Sequence, residues 1–271
     1  MKHIGPIPQL GYGTWNHLGD AAYNGVRAAL DVGYRHIDGA EGYNNEEHVG
    51  RAIADSGVPR SEIFITTKVA PENFGPGQVM PHAKASLEKL RVDKVDLLLL
   101  HWPSVKDQYD VNDYVQQFAE VYDAGLATYI GVSNFTKKYL DAALRILGKR
   151  PITTNQVEIH VLHQNRVIID YTRQLGISTT AYSPLARGAL AGHAVLTEIG
   201  TRHNASVEQV ALAFLMAEGH VVIPSSSNAK RIASNFAAKD IKLSVTDIAT
   251  IRNLDEGRRL VDGAWCPVWD T

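Results

Sequence analysis

Four residues in the first 101 positions could together do proton chemistry. Asp38, Lys68 and His101 each end a short apolar run, Tyr34–Asp38, Ile63–Lys68 and Val95–His101, and Tyr43 follows Asp38 by five residues. A free phenol has a pKa of about 10, and bringing it to about 7 takes roughly 4 kcal/mol of phenolate stabilisation. An ammonium about 4 Å away, at an effective dielectric near 20, supplies an attraction of that order. The pattern therefore predicts that Lys68 lowers the Tyr43 pKa and that Asp38 keeps Lys68 charged and oriented. A neutral His101 would donate a hydrogen bond to a carbonyl oxygen. Such a group suits protonation of a developing alkoxide. That alkoxide arises when hydride adds to an aldehyde or ketone, and no side chain supplies hydride, so the chemistry calls for a nicotinamide cofactor. Taken singly, each residue has a plainer alternative: an Asp38–Lys68 salt bridge, a hydrogen-bonded core histidine, a tyrosine that begins a helix.

The elements that must position these groups recur in the order strand, then helix. After a Pro- and Gly-punctuated start that reads as a hairpin, a run from Leu10 to Gly13 leads into a helix over 20–31. Strands 34–38, 63–68 and 95–101 precede helices 45–55, 77–90 and 112–124, in that order. Strands 129–133, 154–158 and 178–182 precede helices 137–147, 166–175 and, after a long Gly-containing loop, 207–218. A strand at 221–224 precedes a helix over 230–237. Eight such units predict one domain over 1–271, a closed (β/α)8 barrel. A Gly-x-Gly-x-x-Gly turn, the mark of a doubly wound sheet, is absent after the first strand. Residues 245–254 read as an extra amphipathic helix. An irregular tail, 258–271, carries Trp265 and Trp269 and could fold over the barrel mouth. Ionisable groups at barrel strand ends all face one side, where barrels place their chemistry.

Composition narrows the partners. A formal charge of -2 gives no reason to expect nucleic acid or an anionic membrane. No apolar run reaches the roughly 18 residues of a membrane span, and the N-terminus lacks a signal-peptide core. The single cysteine, Cys266, allows neither an intramolecular disulfide nor a thiolate metal cluster. The single cysteine favours a reducing, cytoplasmic compartment; the expected partner is a small carbonyl substrate, from the proton chemistry above, and the expected state is a monomer. No metal is expected: His160 and His163 are three apart, but no His-x-His follows the first strand and no His-Glu-x-x-His exists.

From end to end the chain resembles an aldo-keto reductase. Gly11-Tyr12-Gly13-Thr14-Trp15 resembles the family's first-strand motif. Gly33 to Ala40, followed by Tyr43-Asn44-Asn45-Glu46 and Val49-Gly50, matches the segment that carries the catalytic aspartate and tyrosine. Ile65-Thr66-Thr67-Lys68 and Leu99-Leu100-His101-Trp102-Pro103 match the lysine and histidine segments. The resemblance implies a tetrad of Asp38, Tyr43, Lys68 and His101, with Tyr43 as general acid. It implies cofactor contacts from Gly13, Thr14 and Asp38. Ser133, Asn134 and Gln156 would hold the carboxamide, Tyr182 would stack on the nicotinamide, and Ser183 and Leu185 would border the diphosphate. Ser225, Ser226, Ser227, Arg231 and Asn235 would grip the adenosine phosphate and adenine. Barrels often bind phosphate there, at a helix N-terminus beyond strands seven and eight. A guanidinium at Arg231 favours NADPH, because it can bind a 2′-phosphate bidentately.

Three positions depart from the family pattern. Ser225 stands where many members have lysine, which weakens the NADPH preference and leaves NADH as a weaker alternative. Gly39 replaces a common threonine. Ala70 replaces an aromatic wall, leaving Trp15, Trp102 and Phe74 as apolar walls of a wider substrate pocket beside Tyr43 and His101. Within the family, the chain most resembles the bacterial branch of 2,5-diketo-D-gluconate and methylglyoxal reductases. The competing reading is a cofactor-binding, redox-sensing interaction protein on the same fold with little turnover.

Overall fold

In the computed structural model, which describes residues 2–271, the strand–helix alternation closes into a (β/α)8 barrel. Its parallel strands are β1 (Tyr12–Gly13), β2 (His36–Asp38), β3 (Phe64–Val69), β4 (Val95–Leu100), β5 (Ala127–Ser133), β6 (Ile152–Glu158), β7 (Ser178–Tyr182) and β8 (Val221–Val222). Each pairs with its sequence neighbours. The ring closes where Gly11 N donates to Val222 O at 2.9 Å and Val222 N donates to Gln9 O at 2.8 Å. The expected N-terminal hairpin is present, His3–Ile4 against Ile7–Pro8.

Helices α1 (Gly19–Val32), α2 (Glu46–Asp55), α3 (Val79–Leu90), α4 (Val111–Asp123), α5 (Lys137–Leu147) and α6 (Arg166–Gln174) follow the first six strands in turn. After β7 come α7 (Ala194–His203) and α8 (Val207–Ala217); after β8 come α9 (Ala229–Ala237) and α10 (Val245–Arg252). Helix α7 falls within the stretch that the sequence pattern reads as a long loop. It hides there because Gly200 interrupts its apolar face. A Cβ at that position would sit 2.5 Å from Ala205 O, so the tight α7–α8 connection requires the glycine.

Alternation along the strands sorts residues between two cores. One core lies between barrel and helices. The other is the barrel interior, where Phe64, Leu97, Leu99 and Val221 meet Ile7 of the hairpin. Ile7 therefore plugs the bottom of the barrel. The inward column of β3 reads Phe64, Thr66, Lys68; that of β2 reads His36, Asp38. His36 Nε2 lies 3.0 Å from Thr66 Oγ1, a polar layer above the apolar plug. Gly131 on β5 leaves room for this interior: a Cβ there would lie 2.8 Å from Leu99 Cδ2. Among the described residues no helix is long and apolar enough to cross a membrane.

Candidate active site

The chemistry-bearing side chains continue the inward columns one layer higher. Asp38 is the last residue of β2, Lys68 the penultimate residue of β3, and His101 the first residue past β4. Tyr43 closes a short 3-10 turn, Glu41–Tyr43, that ends on Asn44 in the left-handed region at φ 54°. An asparagine tolerates that backbone well, and it turns the phenol back over the barrel.

The four groups meet. Lys68 Nζ donates to Asp38 Oδ1 at 2.5 Å, to Gly39 O at 2.8 Å and to Tyr43 Oη at 3.4 Å. Gln156 Nε2 donates to Asp38 Oδ2 at 2.7 Å, so both carboxylate oxygens are held. The Tyr43 and His101 rings sit edge to face, 5.5 Å apart. Lys68 and Asp38 are buried, and so complete a set of partners is what a buried ion pair needs.

One expectation fails here. Burial pushes the Tyr43 phenol above its ordinary value, and the pull of Lys68 only partly offsets it. At 3.4 Å and an effective dielectric near 20 that pull is about 5 kcal/mol, and desolvation of a phenolate still outweighs it. The phenol is therefore firmly protonated at neutral pH. Burial also disfavours the Lys68 ammonium, but Asp38 and the Tyr43 oxygen more than compensate and raise it. His101 is driven well below its ordinary value by burial and by Lys68, so its ring is neutral.

A cavity of about 660 Å³ opens above these groups. Gly13, Trp15, Asp38, Tyr43, His101, Trp102, Ser133, Asn134, Gln156, Tyr182, Ser183, Leu185 and Ser225 all line it. The polar side is a connected network. Ser133 Oγ donates to Gln156 O at 2.8 Å, Asn134 Nδ2 donates to His101 O at 3.1 Å, and the Tyr182 hydroxyl donates to Asn134 Oδ1 at 2.9 Å. Thr14 lies beneath the floor, its Oγ1 donating to Asp38 O at 3.1 Å. Asn134 itself is buried.

Ser226, Ser227, Arg231 and Asn235 lie outside the cavity lining, at and within α9. Asn228 caps this helix, its side chain accepting from Arg231 N, and Ser226 Oγ accepts from Arg231 Nε and from Asn228 N, both at 3.1 Å. Ser225 turns away from α9. Its Oγ lies 2.9 Å from His17 Nε2 and donates to Trp15 O at 3.4 Å.

Phe74 does not wall the pocket. It is buried and stacked on Tyr114 at 4.5 Å, in the core between barrel and helices. The wall is supplied instead by Val261, which the motif reading passed over, and by Trp265 of the C-terminal tail, which the sequence reading expects over the barrel mouth. The aromatic content of the tail was their only signal. Glu158 was also missed, although it ends β6 as Asp38 ends β2. The His160–His163 pair forms a tight backbone bridge, and among the described residues no group of three or more His, Cys, Asp or Glu could hold a metal ion. At Gly39 a Cβ would meet its nearest neighbour, Thr66 O, at an ordinary 3.5 Å, so the backbone there does not require glycine.

A sequence model of the aldo/keto reductase family matches residues 9–256. The methylglyoxal reductase DkgB of Salmonella typhi is 43% identical over 265 residues, covering 97% of this chain and 99% of that one. The fold superposes with TM-score 0.93 and 38% identity on a protein provisionally assigned as a 2,5-diketo-D-gluconic acid reductase B, covering 98% of this chain and 94% of that one. A Bombyx mori aldo-keto reductase solved in complex with NADP is 32% identical, with TM-score 0.87, covering 94% of this chain and 92% of that one.

Proposed function

This chain belongs to the aldo/keto reductase family of oxidoreductases, and we propose that it reduces small aldehydes and ketones to alcohols with NADPH, Tyr43 being the general acid. Methylglyoxal and related α-dicarbonyls, or keto-sugars such as 2,5-diketo-D-gluconate, are the substrate classes. The observation that carries the reading is the buried contact chain Asp38–Lys68–Tyr43 on the floor of the cavity, with neutral His101 beside it.

The residues fit a nicotinamide dinucleotide. Amide and hydroxyl groups of Ser133, Asn134 and Gln156 face the same cavity as the flat ring of Tyr182. The N-terminus of α9 offers the hydroxyl of Ser226 and the guanidinium of Arg231, a setting that favours phosphate. Arg231 forms no ion pair among the described residues, and it supports NADPH over NADH. Ser225 adds no charge, which leaves NADH as the weaker alternative. When bound, the reduced nicotinamide supplies the hydride.

The protein supplies everything else. His101, a neutral donor, orients the carbonyl oxygen beneath the Tyr43 hydroxyl. As negative charge grows on that oxygen, the phenol proton moves to it. Lys68 stabilises the phenolate left behind, which is the state burial alone would penalise most. Asp38 keeps the lysine charged and aimed. Trp15, Trp102, Val261 and Trp265 exclude water from the apolar side.

The test is loss of NADPH absorbance across a panel of aldehydes, α-ketoaldehydes and keto-sugars. Turnover with at least one class is expected. Tight cofactor binding with no turnover on any of them would favour the redox-sensing alternative.

A further inference from the structure

We propose that Glu158 is a positioning residue that latches the C-terminal tail as the substrate-side wall, with Asp270 as a second, independent pin at the tail's far end. This rests on the carbonyl-reductase reading above. Glu158 is fully buried, and both of its oxygens are used by residues about a hundred positions away. Oε1 accepts from Leu260 N at 2.7 Å and Oε2 from Val261 N at 2.9 Å, while His160 Nε2 lies 2.9 Å from Oε1. Leu260 and Val261 lie outside any strand, and among the described residues neither amide has another partner. Without the carboxylate two backbone donors would be orphaned beside a cavity. Arg259, half-buried with its guanidinium 3.8 Å over the Trp269 ring, is near enough to feel the Glu158 charge, although the two form no ion pair.

The far pin is separate in space. Asp270 Oδ2 accepts from Lys137 N at 2.9 Å, at the start of α5, where Thr136 makes no side-chain cap. A carboxylate at a helix N-terminus is favourably placed. Between the pins no helix or strand forms, and Val261 and Trp265 face the cavity. Trp265 is 53% exposed and its ring lies against Gly263 of the same tail, so its place over the cavity follows the course of the tail backbone. Trp269 meets Trp102, another cavity residue, at 6.2 Å. A wall held at its two ends selects substrates by shape without touching the proton-transfer groups.

The experiment compares wild type with Glu158→Gln and Asp270→Ala. Each is assayed with methylglyoxal and with 2-naphthaldehyde, its NADPH binding is followed by fluorescence, and its tail is probed by trypsin at Arg258 and Arg259. Both variants are expected to keep the wild-type kcat for methylglyoxal and the wild-type NADPH affinity. They should raise KM for methylglyoxal by about tenfold, the scale of a lost apolar contact, and shift kcat/KM toward 2-naphthaldehyde. Trypsin should release the tail faster. If Glu158→Gln does not fold, the exposed-side variant Asp270→Ala decides alone. Unchanged aldehyde selectivity in a variant whose tail is cut faster would overturn the proposal, and so would a tail cut no faster than in wild type. A wild-type protein that binds NADPH but reduces neither aldehyde would instead remove the carbonyl-reductase reading, leaving the trypsin comparison to decide the latch.

Discussion

Two carboxylates at the ends of barrel strands are out of water, Asp38 on β2 and Glu158 on β6, and their partners differ in kind. Asp38 is met by the side-chain cation of Lys68 and by the Gln156 amide. Glu158 is met by two backbone amides and a histidine. The Lys68 ammonium can stabilise a charge that forms during reaction, so Asp38 serves chemistry. Backbone amides cannot move charge, but they fix where a chain runs, so Glu158 serves shape. The same residue class at strand ends of the same barrel therefore takes opposite work from its partners.

The largest expected difference between the two sites is seen on breaking the charged one. Lys68→Met leaves Asp38 as a buried, unpaired carboxylate, which costs about 3–5 kcal/mol of stability. It also removes the Lys68 stabilisation of the Tyr43 phenolate, and kcat should fall by at least about a hundredfold. Urea unfolding and steady-state assays read the two losses separately. A Lys68→Met protein with near-normal kcat would mean that the ammonium does not act on the phenol.

Acid should act on both regions in the same direction. Burial holds His36, beneath the catalytic floor, His163, in the scaffold of the tail, and His220 at about 4, below the ordinary 6.5. The unfolded chain protonates these rings near 6.5, whereas the folded protein resists until about 4. Their contribution is complete above about 6.5 and is lost as pH falls through that window, with up to about 3 kcal/mol at stake for fully buried His36. His160 and the Leu260 and Val261 amides hold Glu158 below its ordinary value against the opposing effect of burial. Its contribution is present above the unfolded carboxylate value and disappears as pH drops through the lower folded one. Urea midpoints should be flat from pH 8 to 6.5 and fall steadily from 6.5 to 4. A flat profile across the lower window would contradict buried neutral histidines.

The smallest effect belongs to the periphery. Arg231→Ala should weaken NADPH by about tenfold or more, the loss of one charge-assisted contact, and leave NADH nearly unchanged. Fluorescence titration with both cofactors checks this, and equal losses would remove the 2′-phosphate role of Arg231.

The contrast also explains what could be read from the chain. Strands whose inward and outward faces are both buried give unbroken apolar runs, so the barrel was visible. Asp38, Lys68 and His101 were visible because each interrupts such a run at its end. Glu158 follows a largely polar stretch, Thr153-Thr154-Asn155-Gln156-Val157, so nothing set it apart, and its partners are backbone amides from residues 260 and 261, which carry no residue-type signal. Phe74 was misplaced because an aromatic in a loop after β3 serves a core or a pocket equally well, and only its stacking on Tyr114 decides. The direction of the Tyr43 shift was misjudged because Coulomb attraction can be guessed from residue types, whereas desolvation depends on burial that only the folded chain provides.

One comparison weighs the role given to the catalytic floor: Tyr43→Phe against wild type, with methylglyoxal reduction and NADPH binding measured on the same samples. The ring and its packing are kept and only the hydroxyl is lost. NADPH should bind within about twofold of wild type while kcat falls by about a thousandfold, the range general acid catalysis supplies. Turnover retained within tenfold would show that the proton comes from elsewhere and would contradict the mechanism.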